Sequence, residues 1–171
     1  MSTLFVDTIN EKTSGNGIYM PGHVIQVVQG TLDTQVTVTS TDPTDSGLEA
    51  TITPKSTSSK ILITATCMFS INNNTDQSMG GGWQVTDGDN NVIMSSQGDS
   101  NPFDLGHYST ANWYNLQSNQ SRSFLHSPAT TSAITYKVRL ENGTGTSVRL
   151  NYFSGATYSP VSTIILQEIG G

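Results

Sequence analysis

The residues best suited to touching a ligand lie in one polar stretch: His107, Tyr108, Trp113 and Tyr114, set among Asn, Asp, Gln and Ser between positions 95 and 130. Aromatic rings stack on the apolar face of a pyranose, and amides and carboxylates bond its hydroxyls, so this pattern suits contact with a glycan. Trp113 and Tyr114 suit a core or a subunit interface equally well, and both readings stay open at this point. Covalent chemistry has less to work with. His23, His107 and His126 stand far apart, and none has a companion at zinc-ligand spacing. No Gly-x-Ser-x-Gly elbow, phosphate loop or Gly-x-Gly-x-x-Gly element occurs. Thirteen Asp and Glu residues are dispersed along the chain, so no pair stands out as glycosidase carboxylates. Asp87-Gly-Asp-Asn-Asn91 has oxygen-bearing residues at alternate positions, as a calcium loop does, but lacks the bidentate Glu and reads better as a β-turn. Gly80-Gly-Gly82 lacks the Lys-Ser/Thr of a phosphate cradle and reads as a loop or the start of a strand. The expectation is a protein that is not an enzyme and uses no metal and no cofactor.

Composition narrows the partners. The chain has 171 residues, seven Lys plus Arg, and a formal net charge of −6. Nucleic-acid binding needs a concentrated basic face to displace counterions, and only Lys137, Arg139 and Arg149 are close enough in sequence to build one. They read instead as solvent-facing strand positions, so no nucleic acid is expected. The single cysteine, Cys67, sits inside an apolar run and reads as a small buried side chain. The N-terminus has no charged n-region followed by a long apolar run, which argues against a signal peptide. No stretch approaches the ~20 apolar residues of a membrane helix, so no membrane insertion is expected.

The elements that must position these residues are strands. Gln35–Thr39 and Leu48–Ile52 alternate at period two. The run Lys60–Ile71 would place Ile61, Ile63, Ala65, Cys67, Phe69 and Ile71 on one face, which predicts a central, well-buried strand. Gly81–Thr86 and Asn91–Met94 flank the turn signal Asp87-Gly-Asp-Asn, a hairpin. Ala133–Leu140 and Thr146–Tyr152 flank Glu141-Asn-Gly-Thr-Gly, which reads as another. Val161–Ile169 closes the chain as a central strand, because a terminal edge strand would fray. Residues 95–130 read as elaborated loops with one or two short strands. No helical periodicity exceeds a turn or two, so the fold class is all-β, an antiparallel β-sandwich over residues 26–171.

Residues 1–25 form a separate short extended arm. Leu4, Val6, Ile9, Ile18, Met20 and Val24 are apolar side chains on a hairpin-like segment too small to bury them, since two strands alone are marginal in water. They predict docking against a partner or against copies of the same chain.

The opening Met1–Ile18, "MSTLFVDTINEKTSGNGI", with "PGHVIQVV" after it, resembles the start of fibre and virion-surface proteins of tailed bacteriophages, particularly those of aquatic bacteria. "GLEATITPKSTSSKILITATCMFSI", "TTSAITYKVRL" and "STIILQEIGG" resemble the strands of the globular head in those proteins. The resemblance covers most of the chain and thins between about residues 72 and 130. It implies a jelly-roll head of the C1q/TNF-like kind, a homotrimer, and a virion location after synthesis in the host cytoplasm. The arm would attach to other virion proteins of the tail, portal-proximal region or major capsid. Here the arm runs straight into one head, which implies a short tail or head fibre presenting the head for host attachment. The alternative is a decoration or cement protein that clamps neighbouring coat subunits.

Overall fold

The structure, a computed structural model, describes residues 8, 10, 22–73, 78–95, 105–108, 114–144, 147–153, 155 and 159–171. The expected arm residues Leu4, Val6, Ile9, Ile18 and Met20, and Trp113, lie outside them. Among the described residues the chain forms eleven strands and no helix. They are β1 (Val24–Leu32), β2 (Val36–Val38), β3 (Thr44–Ile52), β4 (Lys60–Asn73), β5 (Ser78–Asp87), β6 (Val92–Met94), β7 (Leu105–Tyr108), β8 (Tyr114–His126), β9 (Ile134–Thr144), β10 (Ser147–Leu150) and β11 (Ser162–Ile169).

Two antiparallel sheets face each other. In the six-stranded sheet β4 is the spine. One of its edges pairs along its whole length with β8, from Ile61 opposite His126 to Asn73 opposite Tyr114. The other edge is shared: β11 pairs with residues 60–66 and β10 with residues 69–72. Outside these lie β1, paired with β11, and β2, paired with β10. The five-stranded sheet runs β3-β9-β5, with β6 on one half of the far edge of β5 and β7 on the other. The fold is the antiparallel β-sandwich expected from the period-two patterning.

Alternation decides what is buried. Ile61, Ile63, Ala65, Cys67, Phe69 and Ile71 all face inward and are at most 1% exposed, as the sequence pattern requires. They meet Leu48, Ile52, Trp83, Val85, Tyr136, Val138 and Leu140 of the opposite sheet, with Ile164 and Leu166 alongside. Their outward neighbours Thr64 and Thr66 pair across the strand with Ser123 and Ser121, hydroxyl to hydroxyl at 2.9 Å. Two close approaches need glycine. A Cβ on Gly30 would collide with the Glu49 carbonyl where β1 crosses β3, and one on Gly81 would collide with the Val148 side chain. Gly80-Gly-Gly82 is thus buried strand, not a flexible loop.

Two expectations are corrected. Residues 114–126, expected to be mostly loop, form a thirteen-residue strand. Its Asn, Gln and Ser residues hide the usual apolar alternation, and the long partner β4 supplies the order. The segments on either side of Glu141-Asn-Gly-Thr-Gly do not form a hairpin. β9 belongs to the five-stranded sheet and β10 to the six-stranded one, so the chain crosses between layers there. That crossing also places Arg149 in a different sheet from Lys137 and Arg139, which contact Asp45 through ion pairs of 3.0 and 2.7 Å.

Candidate functional site

The two ends of β4 carry different surroundings. At its C-terminal end, Asn73 lies opposite Tyr114, the first residue of β8, and the neighbouring Ser78 of β5 lies opposite Tyr108, the last of β7. His107 pairs with Met79 one position earlier. The backbone therefore brings His107, Tyr108 and Tyr114 to one end of the sandwich from two different strands. At the N-terminal end of β4, Lys60 lies opposite Ile169 of β11, which lies opposite Val24 of β1. The chain comes in here, pinned by hydrogen bonds from the Gly22 amide to the Gly170 carbonyl (2.7 Å) and from the Gly170 amide to the His23 carbonyl (2.8 Å). Val24, expected on the arm, is an exposed residue of β1. At ~3.3 Å per residue the two ends of β4 are roughly 40 Å apart.

The chain-entry end also holds a cavity of about 390 Å³ on the β8 side, lined by Asp87, Gly88, Asp89, His126, Pro128, Thr130, Ala133, Ile134 and Thr135. One wall is the β5–β6 turn. Asp87 folds it: its Oδ1 accepts from the amides of Asp89 (3.0 Å) and Asn91 (2.8 Å), and its Oδ2 accepts from Asn91 Nδ2 (2.8 Å). Burial alone would raise the Asp87 pKa, but these hydrogen bonds to the carboxylate outweigh it and hold it below 3.8. The turn is thus the αL-tolerant β-turn that the sequence suggested, with Asn90 at φ 70°. The other wall is the β8–β9 connection, where Ala129 adopts φ 52° between the lining residues Pro128 and Thr130.

His126 closes the back of the cavity. Its Nδ1 is 2.8 Å from the Tyr136 hydroxyl, and the two rings meet edge to face. Burial lowers the His126 pKa from its ordinary 6.5, against the pull of Asp87, so the ring is neutral at pH 7. Burial, with Asp87 nearby, pushes the Tyr136 hydroxyl up to about 12, so it keeps its proton. In the sequence His126 has no companion at metal-ligand spacing. Its partners come from β5 and β9, and no local spacing could have revealed them.

Beside the cavity, the inward face of β8 meets Trp83. The Trp83 indole donates to Gln120 Oε1 (2.6 Å), and the Arg122 guanidinium lies 4.4 Å from the centre of that ring while donating to the Trp83 carbonyl (2.9 Å). Cys67 lies beneath, fully buried, and burial pushes its thiol up to about 12 despite the nearby Arg122. A thiol held that high is not a thiolate nucleophile at neutral pH. Among the described residues no group of three His, Cys, Asp or Glu is placed to hold a metal ion, and no helix is long and apolar enough to cross a membrane. No family model matches the chain, and no curated protein matches it.

Proposed function

We propose that this protein is a virion structural protein of a tailed bacteriophage, of the short trimeric tail- or head-fibre type. Its N-terminal arm anchors it to other virion proteins, and its β-sandwich head is presented to the host surface. The observation that supports this reading is the composition of the core. Among the described residues the buried apolar side chains run from Val38 to Leu166 and come from both sheets, a core of the size a head domain needs. The apolar arm residues Leu4, Val6, Ile9, Ile18 and Met20 stand on a segment too short to form its own core; burying each against a partner is worth ~1.5–3 kcal/mol when complete, and three copies make the docking multivalent. The topology adds a polarity: His107, Tyr108 and Tyr114 sit at the end of β4 remote from the chain-entry end.

Deleting residues 2–21 tests the reading. The truncated head should retain a cooperative unfolding transition and a strand-rich circular dichroism spectrum, yet fail to join particles. Sedimentation equilibrium of the full chain should give the mass of three copies. If the truncated head joins particles normally, the head is itself the anchor, and the decoration reading, a clamp across neighbouring coat subunits, replaces the fibre reading.

A further inference from the structure

We propose that the cavity between the β5–β6 turn and the β8–β9 connection is a binding site for a single neutral saccharide unit. At about 390 Å³ it lies at the small end of the ~300–1,000 Å³ spanned by ligand pockets, which suits one sugar ring. Its lining divides into the two kinds of surface a pyranose presents. Pro128, Ala133 and Ile134 supply apolar contact for ring C–H groups, and Asp87, Asp89, His126 and Thr130 supply polar groups for hydroxyls.

The polar groups have capacity left. His126 engages Tyr136 through Nδ1, which leaves Nε2 as the second ring position for a hydroxyl. Thr130 Oγ1 accepts from the Ser132 amide (3.0 Å) and retains its own proton to donate. Asp87 already serves three donors, and its Oδ2 takes only one of them, so a lone pair remains for a ligand hydroxyl.

Charge sets the class. Two carboxylates line the cavity and neither Lys nor Arg does, so a uronate, sulfate or phosphate group would meet like charge. The walls are also preset. Ala129 in the left-handed region is uncommon for a residue with neither a glycine's freedom nor an amide to bond locally, and such backbone collects at ligand sites.

The inference rests on the host-attachment reading only for the source of the saccharide. The cavity lies towards the chain-entry end of β4, away from His107, Tyr108 and Tyr114, so it is a second site beside the distal one and not a replacement for it. The test is two-dimensional ¹⁵N–¹H NMR of the labelled full chain, titrated with methyl glucoside, methyl galactoside, methyl mannoside and N-acetylglucosamine, with glucuronate as the acidic counter-probe. At least one neutral probe should give saturable shifts at the amides of Gly88, Asp89, Thr130 and Thr135, while glucuronate binds at least about tenfold more weakly because of like-charge repulsion. Ala133→Trp, which fills the cavity, should abolish the shifts. Asp89→Asn, an exposed change that leaves the turn's hydrogen bonds in place, should weaken them several-fold, and it decides the matter if the tryptophan variant does not fold.

The proposal falls if no neutral probe saturates, if glucuronate binds as well as they do, or if folded variants bind like the parent. Adsorption of the intact particle to host cells separates the two levels. Adsorption blocked by antibody to the head, without any sugar binding, overturns this inference and leaves the fibre reading standing. Sugar binding by a protein that never reaches the particle overturns the fibre reading and leaves the site.

Discussion

The two flanks of β4 share one strand and differ in everything else. On the β11 side the inward residues Ser162, Ile164, Leu166 and Glu168 are all fully buried. Even the carboxylate there is sealed in, its oxygens accepting from Gln26 Nε2 (2.5 Å) and the Lys55 amide (2.7 Å). On the β8 side the inward residues opposite Cys67, Ala65, Ile63 and Ile61 are Gln120, Arg122, Phe124 and His126. None of the four is fully buried, and Phe124 is 41% exposed. The cause is the opposite sheet. Among the described residues, β3, nine residues long, faces β11, while the edge of the five-stranded sheet towards β8 carries β6 and β7, with three and four residues. Where the cover is long, apolar residues complete a dry core. Where it is short, the strand carries polar side chains that bond to Trp83 and Tyr136, and a cavity opens. One spine thus serves stability on one edge and a candidate binding surface on the other.

The largest expected effect would confirm or break that division. Leu166→Ala should cost about 2–5 kcal/mol, because it empties a fully enclosed position that rigid neighbours cannot refill. Phe124→Ala, although it removes a larger side chain, should cost no more than about 1 kcal/mol, as for other changes away from enclosed sites. Urea unfolding of both variants measures this, and equal losses would mean that the β8 flank is as dry as the β11 flank.

A pH titration of stability sharpens the contrast. His126 has its pKa lowered in the fold by burial, so the unfolded chain binds the proton more readily. Stability from this group is complete above about pH 6.5 and declines as the pH falls through the lowered value. Asp87, also lowered, adds a separate loss below about pH 3.8. Thermal unfolding from pH 8 to pH 3 should show both declines, and His126→Gln should remove the upper one alone. A variant that keeps the upper decline would place its source elsewhere.

The smallest effect belongs to the outer face that the two flanks share. Ser121→Ala breaks a solvent-side hydroxyl pair with Thr66 and should change stability by no more than about 0.5 kcal/mol. A larger loss in the isolated protein would mark that face as covered, with an assembly contact the first place to look.

Legibility in the sequence followed the apolar alternation. Ile61 to Ile71 declared both strand and face because a half-buried strand must repeat every two residues. β11 was legible for the same reason, as was the turn at Asp87. β8 was not, since its order comes from the hydrogen-bond ladder of β4 and its inward face mixes Leu116 and Phe124 with Ser118, Gln120, Arg122 and His126. The hairpin expected around Asn142 failed because a Gly-rich turn signal fixes a change of direction and says nothing about which sheet receives the next strand. The cavity was invisible for a related reason: Asp87, His126 and Tyr136 come from three strands.

By itself, then, the sequence determined that this chain is all-β, which residues form the floor of its core, and where β5 turns into β6, because those depend on local periodicity and local backbone preference. Only the tertiary structure decided which strands share a sheet, that β4 has one dry and one wet flank, and that a histidine and two aspartates line one cavity. Those features depend on the relative lengths of strands distant in the chain, which no local pattern encodes.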